Sequence, residues 1–93
     1  MKGSAVVARV DGTLTELDHR PTLEEAQQIV DGYIELVKAR DTVGQLVTLV
    51  VNEDGKPQNL PTNKYITKIY GPSIYNGIIV GNVIILRGWK TVG

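Results

Sequence analysis

The segment from Gln45 to Asn52 constrains this chain most, because Leu46, Val47, Leu49, Val50 and Val51 make a nearly continuous aliphatic run. A run of that kind reads as a central strand buried on both faces. The rest of the chain has to be arranged around it, and 93 residues (10.2 kDa) supply one small core, so a single domain over residues 1–93 is expected. Hydrophobic residues at 42% and charged residues at 22% are ordinary globular usage, which excludes a disordered tail or a low-complexity fibre. The absence of cysteine removes disulfides, thiolate nucleophiles and Cys-based metal sites.

Around that strand the signals are local. Ser4 to Val10 alternates, Asp11-Gly12 follows, and Thr13 to Leu17 alternates again, which is the pattern of a hairpin. Pro21 breaks the strand, and Thr22 with Glu25 forms a capping box. From there Leu23, Ala26, Val30, Tyr33, Ile34 and Val37 recur at helical spacing, with Glu24, Gln27, Gln28, Asp31, Glu35 and Lys38 on the other face. A long helix through Val37 is expected, with Gly32 inside it at a cost of about 1 kcal/mol, marking close approach of a strand or another chain. Arg40 to Gly44 reads as a polar connection. Asn52-Glu53-Asp54-Gly55-Lys56 reads as a turn in which Gly55 takes a positive φ and Asn52 or Asp54 bonds nearby amides. Pro61 or Thr62 opens a short helix over the Tyr65–Tyr70 segment, which a strand could also occupy. After Gly71-Pro72-Ser73 and Asn76-Gly77, Ile78 to Leu86 reads as the last strand, with a bulge or close approach at Gly81-Asn82, and Trp89 anchors the tail. The expected architecture is α+β: a small, mostly antiparallel sheet of about four strands in the order ββαβ(α)β, covered on one face by one long helix.

The zero net charge hides a division. All ten acids lie at or before Asp54 against five basic residues, whereas Lys56, Lys64, Lys68, Arg87 and Lys90 follow unopposed. The halves carry −5 and +5, the mark of an anion-binding face or of two halves that attract each other. Catalysis has little support. His19 is the single histidine, Glu24-Glu25 and Glu53-Asp54 sit in a cap and a turn, Ser4 and Ser73 lack a nucleophile-elbow context, no phosphate loop is present, and Asn52 to Lys56 does not match a calcium loop. What remains is the basic half, where Tyr65, Tyr70, Tyr75 and Trp89 interleave with the late cations and Asn59, Asn63, Asn76 and Asn82 offer donors and acceptors. That set fits a small anionic nucleotide better than a duplex, which a pI near 6.6 would repel. No cofactor is implied. The apolar run Ile78 to Leu86 is too short to span a membrane and the N-terminus lacks the apolar stretch of a signal peptide, so the expected location is the cytoplasm.

Glu25 to Val37 with its Gly32-Tyr33-Ile34-Glu35 core, Val51-Asn52-Glu53-Asp54-Gly55-Lys56, Leu60-Pro61-Thr62-Asn63 and Ile79-Val80-Gly81-Asn82-Val83 resemble a family of small uncharacterised proteins of tailed phages and their prophages. In place of the small residue that usually follows the Leu-Pro-x-Asn turn, this chain has Tyr65-Ile66-Thr67. The resemblance implies a phage accessory protein acting in the host cell cytoplasm, and no assigned chemistry. Such proteins include sequesterers of the nucleotide signals of host immunity, which need a pocket, stacking and cations but no nucleophile. On that reading Asn63, Tyr65, Tyr70 and Trp89 contact a base or ribose, Lys56, Lys64, Lys68 and Arg87 hold phosphate, and the pocket forms between subunits of a homo-oligomer. The alternative is an interaction module that docks on a host defence protein or a phage protein through an acidic helix face (Glu24, Gln28, Asp31, Glu35) or an exposed edge strand. A third reading is a nucleotide-degrading enzyme using Glu53, Asp54 or His19.

Overall fold

The computed structural model describes residues 3–74, 77–89 and 91–93. Five strands form one antiparallel sheet: β1 (Ser4–Ala8), β2 (Leu14–Leu17), β3 (Ile34–Arg40), β4 (Leu46–Asn52) and β5 (Val83–Arg87), in the spatial order β2-β1-β5-β4-β3. Helix α1 (Leu23–Val30) follows the first hairpin and α2 (Lys64–Tyr70) follows the second, running into a 3-10 turn at Gly71–Ser73. The last strand in sequence enters the middle of the sheet, between β1 and β4, and joins the two hairpins.

The β1–β2 hairpin turns where Asp11-Gly12 placed it, with the Asp11 carboxylate accepting the Thr13 amide at 2.9 Å. The capping box of α1 is present: Thr22 Oγ1 accepts from the Glu25 amide, and the Glu25 carboxylate accepts from the Thr22 amide. Strand β4 lies between β5 and β3, and its residues from Val47 to Asn52 are buried.

That two-sided burial comes from a helix on each face. Ala26 and Val30 of α1 pack on Ala5, Val7, Val50, Ile84 and Leu86. Ile66 and Tyr70 of α2 pack on the opposite face, against Ala8, Leu49, Val51, Val83 and Ile85. The single covering helix and the sheet of about four strands are therefore both corrected: the sheet has five strands and lies between two short helices.

The expected long helix fails at a specific place. Asp31 adopts the left-handed conformation (φ 63°, ψ 47°), and the Gly32 amide reaches back to the Gln27 carbonyl at 3.0 Å, closing the helix C-terminus. The Asn52 side-chain Nδ2 then donates to the Val30 and Asp31 carbonyls at 3.0 Å each, satisfying two acceptors the helix end leaves open. Gly32 permits this approach, since a Cβ there would lie 2.7 Å from Asn52 Nδ2. The chain beyond is β3. Ile34 packs toward α1 and Val37 toward α2, so a strand with apolar residues on both faces imitates helical spacing.

Two smaller corrections follow. Gly55 does not take a positive φ; Asn59 does (φ 56°), and Gly55 is required for space, because its Cβ would meet Val80 Cγ2 at 2.8 Å. The Asn52 side chain does bond within that turn, accepting the Asp54 amide at 2.7 Å. The final strand begins at Val83 rather than Ile78, and the preceding residues contribute an isolated bridge between Thr62 and Val80.

Candidate functional site

Seven of the eight residues expected to bind a ligand lie on the α2 side of the sheet, but among the described residues they do not gather around one cavity. Asn63 is the N-cap of α2 and is fully buried. Its Oδ1 accepts the Ile66 amide, and its Nδ2 donates to the Ala8 and Gly81 carbonyls at 2.9 Å each, so its side-chain amide is engaged within the fold. Tyr70 is fully buried too, and its hydroxyl accepts from Arg87 Nη2 at 2.8 Å. Burial pushes the Tyr70 phenol above its ordinary value, with the Arg87 charge opposing that rise. Lys64, Tyr65 and Lys68 are exposed on α2. Trp89 packs on the opposite face, in the α1 core, where its ring also lies against Gly3. Of the eight, Lys56 lines a cavity, described below. Tyr75, Asn76 and Lys90 lie outside the described residues.

A different site is assembled at the β3 side of the sheet. The Glu53 amide donates to the Tyr33 carbonyl at 2.8 Å and the Asp41 amide to the Gln45 carbonyl at 3.0 Å, and between them the register runs from Ile34↔Asn52 to Arg40↔Leu46. In an antiparallel pair the bonded positions alternate. Odd-numbered residues of β3 therefore bond to β4, while the amides and carbonyls of Ile34, Leu36, Lys38 and Arg40 point away from the sheet. The Arg40 amide is met by Ser73 Oγ at 2.8 Å, and that hydroxyl in turn donates to the Tyr70 carbonyl at 2.9 Å. Among the described residues no partner meets the outward backbone groups of Ile34, Leu36 and Lys38. The opposite edge, β2, is only four residues long and carries Glu16.

Beside this open edge, on the α2 face, lies a cavity of about 340 Å³ whose walls include Val37, Val51 and Ile79. Glu35, Glu53 and Lys56 stand around it, all exposed. None of these three forms an ion pair among the described residues. A second depression of similar volume, lined by Gln27, Gly32, Tyr33, Asp54 and Gln58, is more polar and lies by the C-terminus of α1. Glu35 was assigned by spacing to an acidic helix face. It stands on β3 instead, and Asp31 caps α1, so of that face only Glu24 and Gln28 are helical. Asp31-Gly32 is the local sign that α1 ends, after which Ile34 to Arg40 is long enough for a strand; that this strand lies at the edge follows from the sheet order, which the sequence does not state.

His19 carries the one ionic cluster among the described residues. Nδ1 lies 2.6 Å from Asp18 and Nε2 lies 2.9 Å from Glu25. Hydrogen bonds to Asp18 and then Glu25 raise the imidazole above its ordinary value; the bond to His19 lowers the Asp18 carboxyl, while Glu25 is lowered first by the bond from the Thr22 amide and then by His19. The cluster braces the start of α1. Among the described residues no group of His, Asp and Glu could hold a metal ion, and no helix is long and apolar enough to cross a membrane.

Residues 1–91 match a family model described as Domain of unknown function (DUF3846). No curated protein and no solved structure matches the chain.

Proposed function

The chain belongs to the DUF3846 family, a domain of unknown function that assigns no chemistry, and from its geometry we propose that it is a non-catalytic interaction module that takes up an extended segment of another protein along β3. The observation that carries this reading is the row of outward backbone groups at Ile34, Leu36 and Lys38. A strand added there gains main-chain hydrogen bonds, and its alternate side chains reach the neighbouring cavity. The resemblance to small tailed-phage and prophage proteins supports an accessory role, with a host or phage protein as the partner. A nucleotide-sequestering role is supported by the exposed Lys64, Tyr65 and Lys68 on α2. The carboxylates of Glu35 and Glu53 at the cavity speak against a phosphate there.

The test is capture of a partner by purified protein compared with two variants. In Leu36→Pro the lost amide is one that faces away from β4, so an edge strand tolerates it while the docking bond disappears. Glu24→Lys with Gln28→Lys reverses the exposed face of α1. A heterocomplex lost in Leu36→Pro and kept in the α1 variant supports edge docking; the reverse pattern moves the interface to α1. Thermal unfolding against cyclic and linear nucleotides is expected to show no shift, and a shift of several degrees with one compound would restore the sequestering reading.

A further inference from the structure

We infer that the segment docked on β3 carries a basic side chain, lysine or arginine, that lies in the cavity between Glu35 and Glu53. This rests on the strand-docking reading and specifies its ligand. A strand added to β3 would lie about 4.8 Å from it, with its side chains alternating between the two sheet faces. On the α2 face its side chains would flank Glu35 and Val37, the two β3 residues that line the cavity. The cavity has aliphatic walls, Val37, Val51 and Ile79 among them, with carboxylates at Glu35 and Glu53. That combination matches a long aliphatic stem ending in a cation, which buries its methylenes and keeps its charge beside an acid. Lys56 also lines the cavity, so two carboxylates face one ammonium and a single negative charge is left for the incoming group. An acidic side chain at that position would face Glu35 and Glu53, and a second basic one would meet Lys56. On the other face the docked strand would meet Leu36, which is 42% exposed, so its neighbouring positions favour apolar or β-branched residues.

The Arg40 end of the edge is closed by Ser73, which leaves the stretch from Ile34 to Lys38 for pairing. The cavity lies at Glu35 and Val37 within that stretch, so the residue of the segment that flanks them is the one selected to be basic.

The experiment is selection of random short peptides, displayed on a carrier, against the immobilised full chain, repeated with a Glu35→Gln, Glu53→Gln double variant. Both positions are exposed, so the variant is expected to fold, and its unfolding midpoint is measured alongside to check this. The expected result is enrichment of alternating, β-prone sequences with lysine or arginine at one fixed position, and loss of that basic preference in the double variant. The best synthetic peptide should bind the double variant about tenfold more weakly. Its analogue with norleucine in place of the basic residue should bind both proteins alike. Enriched sequences with no basic preference, or with an acid at that position, overturn this inference and leave strand docking standing. No enrichment of any extended sequence overturns strand docking itself, and this inference with it.

Discussion

Replacing Asn63 tests the packing that holds α2 to the sheet. Its side chain joins the start of α2, the end of β1 and the turn at Gly81 through three buried hydrogen bonds. In Asn63→Ala the helix loses its cap, worth about 1 kcal/mol. The Ala8 and Gly81 carbonyls each lose a buried donor, at about 1 kcal/mol apiece. A destabilisation of about 3 kcal/mol is expected, which for a chain of this size lowers the melting temperature by roughly 12 to 24 °C. Asn63→Asp separates the contributions. It keeps the acceptor for the Ile66 amide but turns a carboxylate toward two carbonyls, so at neutral pH it is expected to be at least as destabilising as the alanine variant. Urea unfolding followed by circular dichroism, with an unchanged denaturant slope, measures both. A loss below about 1 kcal/mol for Asn63→Ala, or an aspartate variant near wild type, would refute the argument and free this side chain for a ligand.

Gly32→Ala is expected to cost roughly 1 to 3 kcal/mol by displacing Asn52 from the end of α1; adding Asn52→Ala should then cost little more, and simple additivity in the double-mutant cycle would contradict the coupling. Tyr70→Phe removes the bond from Arg87 and should lower stability by about 1 kcal/mol in urea unfolding, with no loss meaning that water replaces the hydroxyl. The His19 imidazole is raised from 6.5 by Asp18 and Glu25, so its contribution is fully present below pH 6.5 and is lost as pH rises through the folded value. Unfolding midpoints measured from pH 6 to 8 should therefore fall more steeply for wild type than for His19→Gln, and parallel curves would contradict the cluster.

The parts of the fold written in short range were legible. Asp11-Gly12 marks the first hairpin, Thr22 and Glu25 mark the start of α1, and the aliphatic run of β4 announces a strand covered on both sides. That run also required a second covering layer, and the short helix at Tyr65–Tyr70 supplies it, although the architecture expected from sequence covered only one face. The long helix misled because Tyr33, Ile34 and Val37 serve two opposite sheet faces, which reproduces a helical period. The stop lay in Asp31-Gly32, where a left-handed residue is held by Asn52 some twenty positions away, a contact no local pattern displays. The site fared less evenly. Charge and aromatic content pointed to the basic half, yet Asn63 and Tyr70 are engaged inside the fold, and Trp89 is on the other face. Glu35 and Glu53 come together only through the pairing of β3 with β4, a register the sequence does not state.

The most direct test of the central claim is residue-resolved amide hydrogen exchange of β3 in the dilute, isolated protein. The amides of Glu35, Val37 and Ala39 face β4 and should be strongly protected, while those of Ile34, Leu36 and Lys38 should exchange fast, giving an alternation along the strand. Addition of a selected peptide should then protect Leu36 and Lys38. Uniform protection along β3 without any peptide would mean that the edge is already covered, and it would contradict docking at this strand.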